Sequence, residues 1–157
     1  MKILMVCLGN ICRSPLAEGL LQHKATKAGL NWKIDSAGTN GYHNDERPHH
    51  ICQKLALSNG IDISNQQSRK ITKDDFREFD FIYAMAEDVL DDMKRIAGTE
   101  FDKNKTSLFL EIMQPEGSLD VPDPWYSGED GFIEVYDLID TTCDLIIENY
   151  LNKHKQT

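Results

Sequence analysis

The chain lacks several things that would each have named a class. Between Lys105 and Lys153 there is no Lys or Arg, while that stretch holds eleven Asp and Glu. With a formal net charge of −9, the chain argues against nucleic acid as a bulk partner, since such proteins need a basic stripe to replace counterions. No apolar run approaches the length of a membrane span. The opening Met1-Lys2-Ile3-Leu4-Met5-Val6-Cys7 is interrupted by Gly9, Asn10 and Arg13 too soon for a signal peptide. The tail from Lys153 to Thr157 carries no lipidation signal. There is no C-x-x-C pair, which argues against a zinc ribbon, no Gly-Lys-Ser/Thr of a Walker loop and no GxGxxG. The expectation is a cytoplasmic protein that engages neither membrane nor nucleic acid.

What is present suits one domain. The 157 residues are 40% hydrophobic and 27% charged, a globular balance for a single core over 1–157. Cysteines number four, and in a chain without an export signal they do not read as a disulfide framework. Cys52 and Cys143 sit among apolar neighbours and read as core thiols; Cys7 and Cys12 need another explanation. The acidic stretch reads as a solubilising face, or more sharply as a surface near the site that disfavours acidic substrates.

Alternating elements run along the chain. Lys2 to Val6 reads as a buried strand, Gly9 to Ser14 as a small-residue loop, and Pro15 to Lys27 as a helix with Leu16, Gly19, Leu20, His23 and Lys27 on one side, ended at Gly29. Trp32 to Ser36 reads as a second strand, so this opening is β-loop-α-β with a right-handed parallel crossover. Further on, the pattern predicts a helix over Arg47 to Asn59, a short capped turn over Thr72 to Phe76, a strand over Phe79 to Ala84 and a helix over Glu87 to Ala97. The helix should point Val89, Leu90 and Met93 inward. A short strand over Thr106 to Leu110, a loop over Pro115 to Gly131 and a long amphipathic helix to Leu151 complete the chain. The fold class is α/β, a doubly wound parallel sheet in one domain.

Ligands of open α/β sheets bind at the carboxyl ends of the strands. There the sequence places Cys7-Leu8-Gly9-Asn10-Ile11-Cys12-Arg13-Ser14: a Cys, five residues, an Arg and a Ser, then a helix. Such a loop can turn its N–H groups inward as an anion nest, with Gly9 and Asn10 as candidates for positive φ. Arg13 offers a planar fork for two phosphate oxygens. The helix dipole, the amides and Arg13 all favour thiolate over thiol at Cys7, with Ser14 a further donor to the sulfur, and a thiolate beneath a bound phosphate is an in-line nucleophile. The leaving oxygen still needs a proton. Val121-Pro122-Asp123-Pro124-Trp125-Tyr126 supplies a candidate: Asp123 stiffened by prolines on both sides, beside two rings, where nearby negative charge favours the protonated carboxyl.

Together, Val6 to Pro15, Asp35-Ser36-Ala37-Gly38-Thr39 and Val121-Pro122-Asp123-Pro124 resemble the low-molecular-weight protein tyrosine phosphatases, over essentially the whole chain. The resemblance implies a four-stranded parallel sheet flanked by helices, no metal or other cofactor, and a phosphocysteine intermediate. It implies Cys7 as nucleophile, Arg13 as phosphate clamp and Asp123 as general acid and base. Asn10, Ser14 and Ser36 match the residues that hold the loop, Ile11, Tyr42, Trp125 and Tyr126 those that line the substrate crevice, and Cys12 the cysteine that forms a reversible disulfide with the nucleophile. The substrate implied is a phosphotyrosine-bearing protein, handled by a monomer or weak homodimer. Two positions depart from the family pattern. Gln66 stands where a His that bonds the loop Asn is common, and Ala86 where an Asp is usual, so Glu87 or Asp88 is expected to take over that support. A thiol-dependent arsenate reductase of the same fold needs a redox pair beyond the third strand, and Phe79 to Pro115 holds no cysteine. A catalytically silent anion-binding or redox-sensing module is the other alternative.

Overall fold

The structure is a computed structural model that describes residues 1–155; Gln156 and Thr157, the end of the tail, lie outside the described residues. Four parallel strands, β1 (Lys2–Cys7), β2 (Lys33–Gly38), β3 (Phe81–Ala84) and β4 (Thr106–Leu108), form one sheet in the order β2-β1-β3-β4. Among the described residues five α-helices flank it: α1 (Arg13–Lys27), α2 (His50–Ser58), α3 (Asp75–Glu78), α4 (Glu87–Ala97) and α5 (Glu129–His154). This is the predicted single-domain architecture.

β1 carries the logic of the two layers. Successive side chains of a strand point to opposite faces. Ile3, Met5 and Cys7 join one cluster with Leu16, Leu20 and Leu21 of α1 and Val135, Ile139 and Cys143 of α5. Leu4 and Val6 join the other, with Ile82 of β3 and Val89 and Met93 of α4. A strand buried on both faces reads as a continuous apolar run, which is why Lys2 to Val6 was legible. β1 lies between β2 and β3, so the chain reverses its winding direction there, and the loop after Cys7 opens at that switch point.

Several boundaries differ from those the sequence predicts, each for a local reason. α1 starts at Arg13, two residues before Pro15; the proline's missing N–H falls among the first-turn donors that have no partner inside a helix. Its buried face is Leu16, Ala17, Leu20, Leu21 and Ala25, while His23 and Lys27 are exposed. Gly19 is there for close approach: a Cβ would sit 2.4 Å from Ile63 Cγ2. α2 begins at His50 instead of Arg47, because Pro48 disfavours helix at the residue before it and His49 caps the start, Nδ1 accepting from Ile51 N–H at 3.2 Å. β4 stops at Leu108 and a 3-10 turn over Phe109–Met113 follows. α5 runs two residues further at its start and three further at its end than expected, Glu129–His154 against Gly131–Leu151. Leu90 is half-buried beside the fully buried Val89 and Met93. Cys52 and Cys143 are fully buried, as core thiols should be. No described helix is long and apolar enough to cross a membrane.

Candidate active site

The loop from Leu8 to Cys12 closes directly on the first turn of α1. Cys12, the N-cap, makes no side-chain cap, and the first turn holds no acidic residue. The positive end of that helix is therefore left facing the loop. Asn10 takes the left-handed conformation, with φ of 59°; Gly9 does not, contrary to the expectation that it would. The cost of a left-handed Asn, roughly 1 kcal/mol, is met by its side chain. Asn10 Nδ2 donates to Ser14 Oγ at 2.8 Å and to Ser36 Oγ at 3.0 Å, and Oδ1 accepts from Arg69 N–H at 3.0 Å. β2 holds the other flank. Thr39 N–H donates to Cys7 O and Asn40 N–H to Leu8 O, both at 3.0 Å. Gly38 lets the loop approach, since a Cβ there would lie 2.7 Å from Leu8 O and 3.1 Å from Asn10 N.

Cys7 Sγ sits at the floor. Ser14 Oγ is 2.9 Å away, and Asn10 N–H donates to the sulfur at 3.3 Å. Arg13 is buried; its Nη1 donates to Val121 O at 3.1 Å, and its Nη2 lies 3.7 Å from Asp123 Oδ2. Asp123 is half-exposed, and its other oxygen accepts from Trp125 N–H at 3.0 Å. The cavity above Cys7, about 260 Å³, is lined by Cys7, Leu8, Gly9, Ile11, Cys12 and Arg13 from the loop, and by Tyr42, Asp123, Trp125 and Tyr126 at its mouth. The structure thus brings together the three residues assigned to chemistry and the four assigned to the crevice. Tyr42 and Tyr126 stand almost fully in solvent, 88% and 95% exposed. Trp125 is steadied by rings: His43 lies 5.5 Å from it and His49 5.8 Å, and His49 stacks on Phe132.

The supporting residues are arranged differently from the sequence expectation. Gln66 does not bond Asn10. Its Nε2 donates to Pro15 O at 3.1 Å, and its Oε1 is buried without a partner. The partner of Asn10 Oδ1 is the backbone of Arg69, whose side chain is clamped between Asp35 at 3.0 Å and Asp75 at 2.9 Å. The carboxylate missing at Ala86 is replaced neither by Glu87 nor by Asp88. Asp120 Oδ1, from the loop that carries Asp123, accepts from Glu87 N–H at 2.8 Å and caps α4. Val121 N–H, next along, donates to Met85 O at 2.8 Å.

Sequence reasoning also missed Asn40 and His43, both lining the cavity, and Glu18, whose Oε1 accepts from Ser36 Oγ at 2.7 Å. Adjacency to Tyr42 was the signal available for His43; Glu18 offered none. Cys12 shares a side-chain hydrogen bond with Cys52, and that bond and burial push its thiol well above the ordinary range. All four cysteines are free thiols.

Comparison with known proteins agrees with this geometry. The family profile for low molecular weight phosphotyrosine protein phosphatase matches residues 2–157. The low molecular weight protein-tyrosine-phosphatase YfkJ of Bacillus subtilis (strain 168) is 36% identical over 157 residues, covering 99% of this chain and 98% of that protein. Its crystal structure superposes with a TM-score of 0.89, covering 98% and 96% of the two chains. The human low molecular weight phosphotyrosine protein phosphatase is 37% identical over 150 residues, 94% of each chain. The Drosophila arginine phosphatase structure is also similar, at 31% identity and a TM-score of 0.88 over 96% and 98% of the chains. The chain belongs to the low molecular weight phosphotyrosine protein phosphatase family.

Proposed function

We propose that this phosphatase hydrolyses phosphotyrosine in proteins, and small aryl phosphates, in two displacements through a phosphocysteine. Cys7 Sγ attacks phosphorus in line. Arg13 and the loop amides hold the equatorial oxygens as charge redistributes, and Asp123 protonates the departing phenolic oxygen. In the second half Asp123 takes a proton from water, which attacks phosphorus and returns the Cys7 thiolate. The observation that carries this reading is the shared cavity: Cys7 at its floor, the Arg13 fork beside it, and Asp123 3.7 Å from that fork.

The lining of the mouth supports the substrate class. A phosphate seated on the loop leaves its ester between Ile11, Tyr42, Trp125 and Tyr126. A phenyl ring can stack on those rings, worth about 1 kcal/mol, a contact that a serine side chain does not offer. Cys12 lines the same cavity as Cys7, which supports its role as reversible disulfide partner under oxidation.

Matched peptides bearing phosphotyrosine, phosphoserine or phosphoarginine test the reading, assayed in chelator and with flanking charge varied. Phosphotyrosine is turned over, phosphoserine is not, and Cys7→Ser loses turnover while still binding phosphate. Full activity in Cys7→Ser overturns the mechanism. Preference for phosphoarginine overturns the substrate, and thiol-dependent arsenate reduction favours the reductase alternative.

A further inference from the structure

We propose that Glu18 is a positioning residue whose ionisation is relayed to Cys7 through Ser36, Asn10 and Ser14. The inference rests on Cys7 as the reacting group.

Four hydrogen bonds link the two ends without a gap. Ser36 Oγ donates to Glu18 Oε1 at 2.7 Å, Asn10 Nδ2 donates to Ser36 Oγ at 3.0 Å and to Ser14 Oγ at 2.8 Å, and Ser14 Oγ stands 2.9 Å from Cys7 Sγ. With Glu18 ionised, donor and acceptor rules fix the direction of the links as far as Ser14. An ionised carboxylate only accepts, so it commits the Ser36 hydroxyl proton to Glu18 and leaves Ser36 a lone pair for Asn10. The Asn10 amide cannot turn over, because Oδ1 is held by Arg69 N–H at 3.0 Å. Both amide protons are then spent, one on each serine, and with that bond accepted, the Ser14 proton is left for Cys7 Sγ at 2.9 Å, the nearer of its two acceptors, Ala37 O standing at 3.5 Å. A protonated Glu18 instead donates to Ser36, frees the Ser36 proton and removes the polarised acceptor that draws on Asn10. Chains of hydrogen bonds strengthen one another in this way, and loosening one end is felt at the other.

Glu18 sits where this exchange happens near neutrality. Burial raises its carboxyl to about 7; the Ser36 bond pulls the other way, Asp35 adds to the rise and Arg69 opposes it. Charged neighbours reach it from each side: Asp35 from β2, Arg69 from the segment after α2 with Asp75 behind it. His23 of α1 and Asp62 stand at the rim of the same surface pocket. Gln66 of that pocket does not titrate, and of the titratable groups there Glu18 is the one hydrogen-bonded into the chain of bonds, through Ser36 Oγ at 2.7 Å.

Alkylation of Cys7 by iodoacetamide needs no substrate, so it tests this inference separately from the substrate assignment. The rate is followed from pH 5 to 9 in wild type, Glu18→Gln, Ser36→Ala and the double variant. The ratio of wild type to Glu18→Gln changes by about 2- to 10-fold, the worth of one hydrogen bond, in a step near pH 7. Ser36→Ala gives the same step, and the double variant adds nothing. A flat ratio, or single effects that multiply in the double variant, overturns the inference. If Glu18→Gln does not fold, Ser36→Ala carries the test alone, and an unchanged profile overturns it. The pH profile of kcat/KM on phosphotyrosine peptide follows the alkylation ratio; a failed peptide assay with an intact alkylation step counts against the substrate, not against the relay.

Discussion

Asp120 caps a helix that it does not belong to, its Oδ1 taking the Glu87 N–H at 2.8 Å. Three residues on in the same loop stands Asp123. The cap at the start of α4 and the position of Asp123, the proposed general acid, are thus one structural unit, closed by Val121 N–H on Met85 O and by Arg13 on Val121 O. Asp120→Ala loses a cap, about 1 kcal/mol of stability, and also frees the acid loop. Urea unfolding and kcat fall together. Adding Ala86→Asp restores a local cap: stability returns and kcat does not. If kcat recovers with stability, the loop was not tethered by this bond.

Gly38→Ala probes the wall of the phosphate loop. The new methyl carbon meets two backbone atoms, Leu8 O at 2.7 Å and Asn10 N at 3.1 Å, so the loop must shift instead of a side chain turning aside. Displacement near the reacting centre costs on the order of 10²-fold in rate. Isothermal titration with inorganic phosphate should show the loss in binding alongside the loss in kcat/KM.

The burial of Glu18 makes stability depend on pH in an unusual direction for a carboxylate. Its carboxyl is raised from 4.5 to about 7 in the folded chain, so the native state holds a proton that the unfolded chain has released. That contribution is fully present below pH 4.5 and is lost as pH rises toward 7, a change of roughly 3 kcal/mol at about 1.4 kcal/mol per pH unit. Glu18→Gln removes this slope. Denaturant midpoints at pH 5 and pH 8 should differ less in the variant than in wild type, and the variant should be the more stable of the two at pH 8.

Removing the acid tests the role of Asp123 by leaving group. Asp123→Asn cuts turnover of phosphotyrosine by ~10²–10⁴-fold. An aryl phosphate with a strongly acidic phenol needs little protonation, so burst kinetics with such a substrate should show a nearly intact first step and a slow second one. Equal losses on both substrates would remove Asp123 from the acid role.

The features that were legible in sequence were those carried by a contiguous segment. Cys7 through Pro15 spells strand end, loop, clamp and helix start in one run, and the prolines around Asp123 mark it locally. Asn10, not Gly9, takes the left-handed turn because three side-chain hydrogen bonds, two of them to distant segments, over-determine it, and a propensity argument at one position cannot see them. Glu18, Arg69 and Asp120 were invisible for the same reason: their partners Ser36, Asp35, Asp75 and Glu87 lie far away in the chain or on other elements. Gln66 was assigned a partner by its place in the family pattern, but an amide of that reach meets the Pro15 carbonyl first, and the Arg69 N–H already fills Asn10 Oδ1. Helix ends moved where one residue decided the matter, as Pro48 did for α2.

On the proposed mechanism, the first turn of α1, left without a side-chain cap or an acidic residue, takes the phosphate itself as its cap. Occupancy of the site is then a term in folding. Any oxyanion that seats on the loop then stabilises the fold by mass action, about 2.7 kcal/mol at a hundred times its Kd, and raises the melting temperature. A thermal-shift series over phosphate, sulfate and vanadate would rank ligands without an assay of turnover, and the loop from Leu8 to Cys12 would be most open to unfolding in the moment after a bound oxyanion leaves.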